Sequence, residues 1–207
     1  MADFAGICLQ LPPEATYQLA APELVDYWKD YKKRIIYLIG EITSDNLDLV
    51  QKIVQWNMDD YGIPIEQREP IKVCIFSEGG DLDTQNAIVS TMLASETPIY
   101  TINLNRCCSA AALIYLAGSQ RFALENCYWL FHKGSAGFSG SYNEVMSQIE
   151  TYAHDVSNLV EYIKSRTDFE EEYLEEQIGG EFYVFKEEAL KNNVCHKYIS
   201  SINEILD

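Results

Sequence analysis

The stretch Ile71-Lys-Val-Cys-Ile-Phe76 and the residues that follow it, Ser77-Glu-Gly-Gly80, decide the fold. Its first six residues are mostly apolar and β-branched, which predicts a short buried strand over 71–76, before the glycine pair. Apolar residues at helical spacing then predict a helix over about 84–94. A strand that leads directly into a helix is half of a βαβ unit, so this stretch indicates the α/β class.

The same alternation extends in both directions along the chain. Strand, helix, strand, helix and strand are predicted in that order over 34–39, 47–61, 99–104, 109–117 and 128–131. Short strands separated by helices of this length indicate a mainly parallel sheet with helices packed on it. We therefore expect one α/β domain.

Composition and charge exclude several classes of function. The 207 residues carry a formal charge of −17, and so acidic a chain lacks the clustered basic residues of a nucleic-acid-binding surface. No run approaches the roughly 20 apolar residues of a membrane span, and Met1-Ala-Asp-Phe4 does not resemble a secretory signal. We expect a cytoplasmic protein without nucleic-acid or membrane partners.

The six cysteines have neither the C-x-x-C spacing nor the nearby histidines of a zinc site. We therefore interpret them as reduced thiols and expect no metal or cofactor.

A long apolar stripe covers 145–163 at helical spacing and predicts a helix of about twenty residues. A helix of this length in a small domain has two possible roles. It can pack its stripe on its own core, or it can project and bury that face on another subunit.

Ser109 is a candidate nucleophile because it follows a predicted strand and begins the apolar helix. A hydroxyl at this place lies beside unsatisfied backbone N–H groups, which can stabilise an oxyanion. The alternative is that Ser109 only caps the helix. Small residues on both sides of Ser109 would allow another chain to approach closely.

His132 is the candidate base because it ends the strand 128–131, at the same edge of the sheet as Ser109. His154, within the long helix, and His196, near the C-terminus, have no comparable position. The pair Gly79-Gly80 also lies between a strand and a helix, where glycines let backbone N–H groups come close to a ligand.

Taken in order, these segments resemble the proteolytic subunit of the Clp (caseinolytic) protease family. The resemblance rests on 34–40, 77–80, 101–118 and 124–132, with Gly80 and Ser109 29 residues apart and Ser109 and His132 23 residues apart. It extends from about residue 24 to residue 205 and implies a ClpP/crotonase-like spiral of βαβ units.

The resemblance implies a role for each candidate residue. Ser109 corresponds to the nucleophile and His132 to the general base, and the backbone N–H groups of Gly80 and Ala110 correspond to the oxyanion hole. Anchoring the C-terminal segment on Glu188-Ala189 places Glu181 on the catalytic acid.

Departures from the family pattern concern both the acid and its surroundings. Asp168 is the reserve acid, but it also suits the cap of the following helix. Glu78 and Asn105 replace a proline and a glycine of the family. Asn193 replaces a glycine at a helix end, where asparagine also tolerates the left-handed conformation.

The implied assembly is two stacked rings of seven subunits that enclose the active sites and degrade peptides or unfolded proteins. Residues 31–207 would form a single peptidase domain, with a projecting handle over about 133–165. Residues 1–30 would form an N-terminal segment related to the family's axial loop, which contacts an ATP-dependent unfoldase. This segment resembles the family poorly, so engagement of an unfoldase stays open.

Two other functions remain possible at this point. A catalytically impaired structural subunit would keep the ring fold without the chemistry. An acyl-CoA enzyme of the crotonase group has a related fold and a similar oxyanion hole, but it needs catalytic carboxylates near that hole and basic residues for the CoA phosphates.

Overall fold

The computed structural model describes residues 22–201 and 203–206. In this part of the chain the strands are β1 (Ile35–Ile42), β2 (Ile71–Gly80), β3 (Ile99–Cys108), β4 (Gln120–Ala123), β5 (Tyr128–Phe131), β6 (Phe182–Val184) and β7 (Lys197–Tyr198). The helices are α1 (Pro22–Lys32), α2 (Asp48–Asp59), α3 (Leu82–Ala94), α4 (Ala110–Leu116), α5 (Tyr142–Arg166), α6 (Glu171–Gln177), α7 (Lys186–Lys191) and α8 (Asn203–Leu206). The predicted α/β class is confirmed.

The sheet branches along β3. Its order is β1-β2-β3-β4-β7, and all of these neighbours are parallel. The first half of β3, residues 100–103, pairs with β4, whereas residues 106–108 pair with β5. Strand β6 then adds to β5 in the antiparallel direction. The branch brings the end of β5 next to the end of β3.

Three strands extend beyond their predicted ends. β1 continues past Gly40, which has φ 85° and lies at a shift of the pairing register between Ile39 and Glu41. A glycine tolerates this conformation without ending the strand, so the bulge replaces the predicted stop. β2 continues to Gly80 and β3 to Cys108 because their polar ends still pair with neighbouring strands.

Helix α4 lies at the centre of the core, and all seven of its residues are buried. Its alanines allow close approach to β2 and β3, and the ring centroids of Tyr115 and Trp129 lie 5.3 Å apart with the rings tilted by 53°. Arg166 and the buried Arg121 donate hydrogen bonds to carbonyl groups at the end of this helix, including those of Leu116 and Gly118. These cations compensate the negative end of the helix.

Helix α5 packs only part of its apolar stripe on the core of its own chain. Ile163 is buried and Leu159 and Val160 pack on the core of the same chain. Towards its N-terminus Tyr142, Met146 and Ile149 are exposed. The C-terminal half therefore belongs to the domain core, and the N-terminal half presents an apolar face to its surroundings.

Two helix ends differ in their agreement with the sequence. Asn193 has φ 55°, the left-handed conformation expected after α7. The expectation that Asp168 caps α6 is wrong. The N-cap residue of α6 is Glu170, and its side chain makes no capping hydrogen bond. In the short turn before α2, the Thr43 N–H donates a hydrogen bond of 2.9 Å to Asn46 Oδ1.

Five cysteines lie in the described part of the chain, and all are buried free thiols: Cys74, Cys107, Cys108, Cys127 and Cys195. Cys8 and the N-terminal segment 1–21 fall outside the described residues. Among the helices that are described, none has the length and hydropathy of a membrane span.

Candidate active site

The register between β3 and β5 brings Ser109 and His132 together. Cys108 pairs with Leu130, and the Ser109 N–H donates a hydrogen bond of 2.8 Å to the Leu130 carbonyl. His132 follows Leu130 by two residues and leaves the sheet at the same edge. The result is a distance of 2.7 Å between Ser109 Oγ and His132 Nε2.

Ser109 has an unusual backbone conformation, with φ 53° and ψ −126°. A side chain rarely adopts this conformation, and the strain is of order 1–3 kcal/mol. The sharp turn separates the end of β3 from the start of α4. Its hydroxyl makes no capping hydrogen bond to the helix, so the geometry differs from that of the simple cap considered from sequence.

Gly79 lies directly against this turn. It has φ 98°, and a Cβ atom at this position would approach both Ser109 Cβ and the Cys108 carbonyl oxygen to 2.7 Å. Its N–H donates a hydrogen bond of 3.0 Å to Ser77 Oγ. Only glycine fits here, because both the space and the backbone conformation exclude a side chain.

Gly80 is equally restricted, but by β1. Its φ is 151°, and a Cβ atom would lie 2.2 Å from the Ile42 carbonyl oxygen. Gly80 lines the same pocket as Ser109, and so does Ala110. Ala110 begins α4, so its N–H has no acceptor within the helix.

The pocket beside Ser109 has a volume of about 280 Å³. Its walls come from the starts of α3 and α4, the segment after β5, and α5. They comprise Gly80, Leu82, Gln85, Ser109, Ala110, Leu113, Phe131, His132, Lys133, Gly134, Ser135, Tyr152, Asp155, Val156 and Leu159. Tyr152 fixes α5 against the segment after β5, because its hydroxyl donates a hydrogen bond of 2.8 Å to the Lys133 carbonyl.

Glu181 lies next to the antiparallel pairing of β5 and β6. Phe131 of β5 pairs with Phe182 of β6. Because the strands are antiparallel, His132 and Glu181 are the next residues beyond that pair. Glu181 is exposed, and its Oε2 accepts a hydrogen bond of 3.2 Å from Tyr183 Oη. The negative charge of Glu181 raises the pKa of Tyr183. Within the described residues, no hydrogen bond reaches His132 Nδ1.

Asp168 lies in the segment between α5 and α6. Its side chain is exposed, and its backbone N–H donates a hydrogen bond of 2.9 Å to the Asn192 carbonyl. Its carboxylate makes no hydrogen bond or ion pair with His132 in the described structure. Between the two sequence-predicted acids, Glu181 has the position that continues the strand pairing.

Cys108, beside Ser109, is a second potential nucleophile by residue type. Burial raises the pKa of its thiol, so the group stays protonated at neutral pH. A protonated thiol is a poor nucleophile, and the arrangement therefore favours Ser109 as the reacting group.

A family comparison now adds to this geometry. Residues 23–199 match the family described as Clp protease. The chain belongs to the Clp protease family. The sequence-based recognition is thereby confirmed, and the match covers most of the chain, including every candidate site residue.

Curated relatives agree with this membership. The chain is 35% identical over 131 residues to the ATP-dependent Clp protease proteolytic subunit 2 of Borreliella burgdorferi, a match that covers 62% of this chain and 61% of the relative. It is 29% identical over 183 residues to the protein of the same name from Treponema pallidum, covering 86% and 87% of the two chains.

A solved structure supports the fold. A variant of Listeria monocytogenes ClpP1 superposes with a TM-score of 0.73 and 18% identity, covering 86% of this chain and 98% of that chain. At this identity the likeness concerns the fold alone.

Sequence reasoning missed part of the pocket wall. Gln85 and Asp155 line the pocket, although neither belongs to a recognised motif. The spacing of Tyr152 and Asp155, three residues apart on α5, could have indicated that both face the same side. Nothing in the sequence alone could have told that this side faces Ser109.

Proposed function

We propose that this protein is a serine endopeptidase that cleaves peptides or unfolded proteins with Ser109 as nucleophile and His132 as general base. The observation that supports it best is the 2.7 Å distance between Ser109 Oγ and His132 Nε2 at the mouth of a pocket. A serine hydroxyl is a weak nucleophile until a neighbouring base takes its proton, and this distance suits that transfer.

The reaction would proceed in two steps. His132 accepts the hydroxyl proton while Ser109 Oγ bonds to the scissile carbonyl carbon, and the resulting oxyanion is received by the N–H groups of Gly80 and Ala110. His132 then gives the proton to the leaving amine, which departs and leaves an acyl-enzyme. Water, deprotonated by His132, hydrolyses that ester and regenerates Ser109.

Glu181 is the proposed third member of the triad. A carboxylate that accepts a hydrogen bond from the His132 Nδ1–H would hold the ring with Nε2 towards Ser109, and a Ser-His-Glu arrangement meets this need. The strand pairing that leads from Phe131–Phe182 to His132 and Glu181 favours this residue. Tyr183 Oη engages only Glu181 Oε2, so Glu181 Oε1 is the oxygen proposed to accept from the His132 Nδ1–H.

The proposed assembly follows the family resemblance. The relatives are named as subunits of an ATP-dependent protease, and α5 carries an exposed apolar face at Tyr142, Met146 and Ile149. We propose stacked heptameric rings joined through α5, a cytoplasmic location and work with an ATP-dependent unfoldase. An exposed apolar face on a projecting helix is typical of an interface.

A catalytically impaired structural subunit is the second candidate. Two observations favour it: no described residue bonds to His132 Nδ1, and Glu181 is bonded to Tyr183. The acyl-CoA alternative has less support, because the described part of the chain contributes a single lysine or arginine, Lys133, to the pocket lining.

A fluorophosphonate distinguishes the two leading candidates. We expect intact-mass analysis to find one adduct per wild-type chain and none for Ser109→Ala, with labelling of His132→Ala slower by about 10⁴-fold or more. Slower labelling of Glu181→Ala, but not of the matched Asp168→Ala, would support Glu181 as the acid. Light scattering checks that each variant assembles as the wild type does. A wild-type protein without adduct, or equal labelling of Ser109→Ala, would contradict the proposal.

A further inference from the structure

The pocket beside Ser109 has a far end that belongs to a second cavity as well. That neighbouring cavity, of about 300 Å³, does not touch Ser109 or His132. The two share Leu82, Gln85, Leu113, Asp155 and Leu159. These five residues therefore mark the end of the pocket that lies away from the nucleophile.

Gln85 places a hydrogen-bond acceptor without a partner at this end. Gln85 is 3% exposed, and its Nε2 donates a hydrogen bond of 3.1 Å to Asn86 Oδ1. Its Oε1 is buried and has no hydrogen-bond partner within the described structure. Leaving a buried acceptor unpaired is unfavourable, and such atoms are rare unless a ligand or water supplies the donor.

Asp155 adds a negative charge to the wall of the same end. Its side chain is about one third exposed, and among the described residues the one basic side chain within 4 Å of it is the ring of the adjacent His154, at 3.9 Å. That ring is itself 74% exposed to solvent, which weakens any pairing. The Asp155 carboxylate is thus available to a substrate.

The surroundings reinforce this charge. Asp155 also lines a third, more open cavity together with Asp83 and Glu144. Among the described residues that line the three cavities, Lys133 is the only lysine or arginine, and it contributes to the wall nearest Ser109. The far end therefore favours a cation.

The walls between the nucleophile and this end are apolar. Leu82, Leu113, Val156 and Leu159 would surround an aliphatic stem, and Gln85 and Asp155 would meet a terminal donor. A lysine or arginine side chain combines such a stem with such a donor.

We propose that the pocket binds the lysine or arginine side chain of the substrate residue whose carbonyl group is attacked. That side chain starts next to Ser109, so it enters the pocket at the end where the nucleophile lies. The proposal rests on the proposed function, because it names the substrate class of the same site.

Peptidyl diphenyl phosphonates test the preference without turnover. Ser109 Oγ bonds to phosphorus, phenoxide leaves with the P–O bonding pair, and His132 takes the hydroxyl proton. Four probes that differ only at the first residue, lysine, arginine, leucine and norleucine, are compared by the second-order rate of adduct formation in intact-mass spectra. Norleucine has the aliphatic stem of lysine without its ammonium group.

We expect the lysine and arginine probes to react about tenfold faster than the norleucine probe. Their cationic groups can donate a hydrogen bond to the Asp155 carboxylate, whereas norleucine has no donor. Asp155→Asn should reduce the lysine-to-norleucine ratio by about tenfold, and Gln85→Met should reduce it less. Glu150→Gln is the matched control. It removes one charge from the same helix at an exposed position that lines none of the three cavities, so the ratio should not change.

The outcomes distinguish failure of the proposed lysine or arginine preference from failure of the proposed peptidase activity. Equal or faster labelling by leucine and norleucine overturns the preference, while the adduct on Ser109 still supports the peptidase. An unchanged ratio in Asp155→Asn also overturns the assigned role of Asp155. If neither these probes nor a small fluorophosphonate labels Ser109, the proposed function fails and the preference fails with it.

Discussion

Arg106 Nη1 lies 2.7 Å from Glu78 Oε1 and joins the ends of the two strands that lead to the candidate active site. Glu78 immediately precedes Gly79, and Arg106 stands three residues before Ser109. The guanidinium also lies 4.6 Å from the centroid of the Phe76 ring. Glu78, which departs from the family pattern, thus belongs to a contact that ties β2 to β3.

We expect this ion pair to contribute little to global stability, because Glu78 is 71% exposed. A double-mutant cycle with Glu78→Gln and Arg106→Ala should give a coupling of about 0.5 kcal/mol in urea denaturation, and the coupling should fall in high salt. Arg106→Ala alone should cost more than Glu78→Gln, since it also removes the contact with Phe76. A coupling above about 2 kcal/mol would contradict this view.

The strain at Ser109 leads to a prediction about stability. Glycine adopts φ 53° and ψ −126° far more readily than alanine or serine. Ser109→Gly should therefore be more stable than Ser109→Ala by about 1 kcal/mol, although neither variant should form an adduct with a fluorophosphonate.

Ser109→Gly and Ser109→Ala control for each other, because both variants lose the same hydroxyl group. At a position with ordinary backbone conformation, alanine is the more stable of the two, since glycine loses more entropy on folding. Urea denaturation of both variants measures the difference. Greater stability of Ser109→Ala would show that the turn is not strained.

The sequence predicts the α/β fold and the placement of Ser109 and His132 at strand ends, but not their contact. Strand–helix alternation is local, and the positions of Ser109 and His132 at strand ends follow from it. Their contact depends on the pairing of β5 with the C-terminal half of β3. This pairing joins distant parts of the chain, so the hydrophobic pattern of the sequence does not predict it. The same limit applies to Asp155, which reaches the pocket only through the path of α5.

The two glycines before α3 should tolerate no side chain. In Gly79→Ala and Gly80→Ala the new Cβ would approach backbone atoms to 2.7 Å and 2.2 Å, at φ values that disfavour any side chain. We expect each substitution to cost about 3 kcal/mol or more and to abolish labelling of Ser109. Gly137→Ala is the matched control, because nothing lies within 4 Å of its new Cβ. Urea denaturation and intact-mass labelling measure both effects, and stability equal to wild type in Gly80→Ala would be inconsistent with this geometry.

His196 gives the protein a pH-dependent stability. Its Nδ1 accepts a hydrogen bond of 3.2 Å from the Arg121 N–H, and burial, together with the charges of Arg121 and Arg166, lowers its pKa to about 4. In the unfolded chain a histidine has its ordinary pKa of about 6.5. Between these two values the unfolded state binds more protons than the folded state, so the free energy of unfolding rises with pH.

The contribution of His196 is therefore complete above about pH 6.5 and is lost as the pH falls towards 4. Urea denaturation at pH 5.5, 6.5 and 7.5 should show lower stability at the lower pH, and His196→Gln should reduce this dependence. His154→Gln is the matched control, since His154 is 74% exposed and should leave the dependence unchanged. If His196→Gln keeps the full pH dependence of the wild type, the loss of stability in this range does not come from protonation of His196.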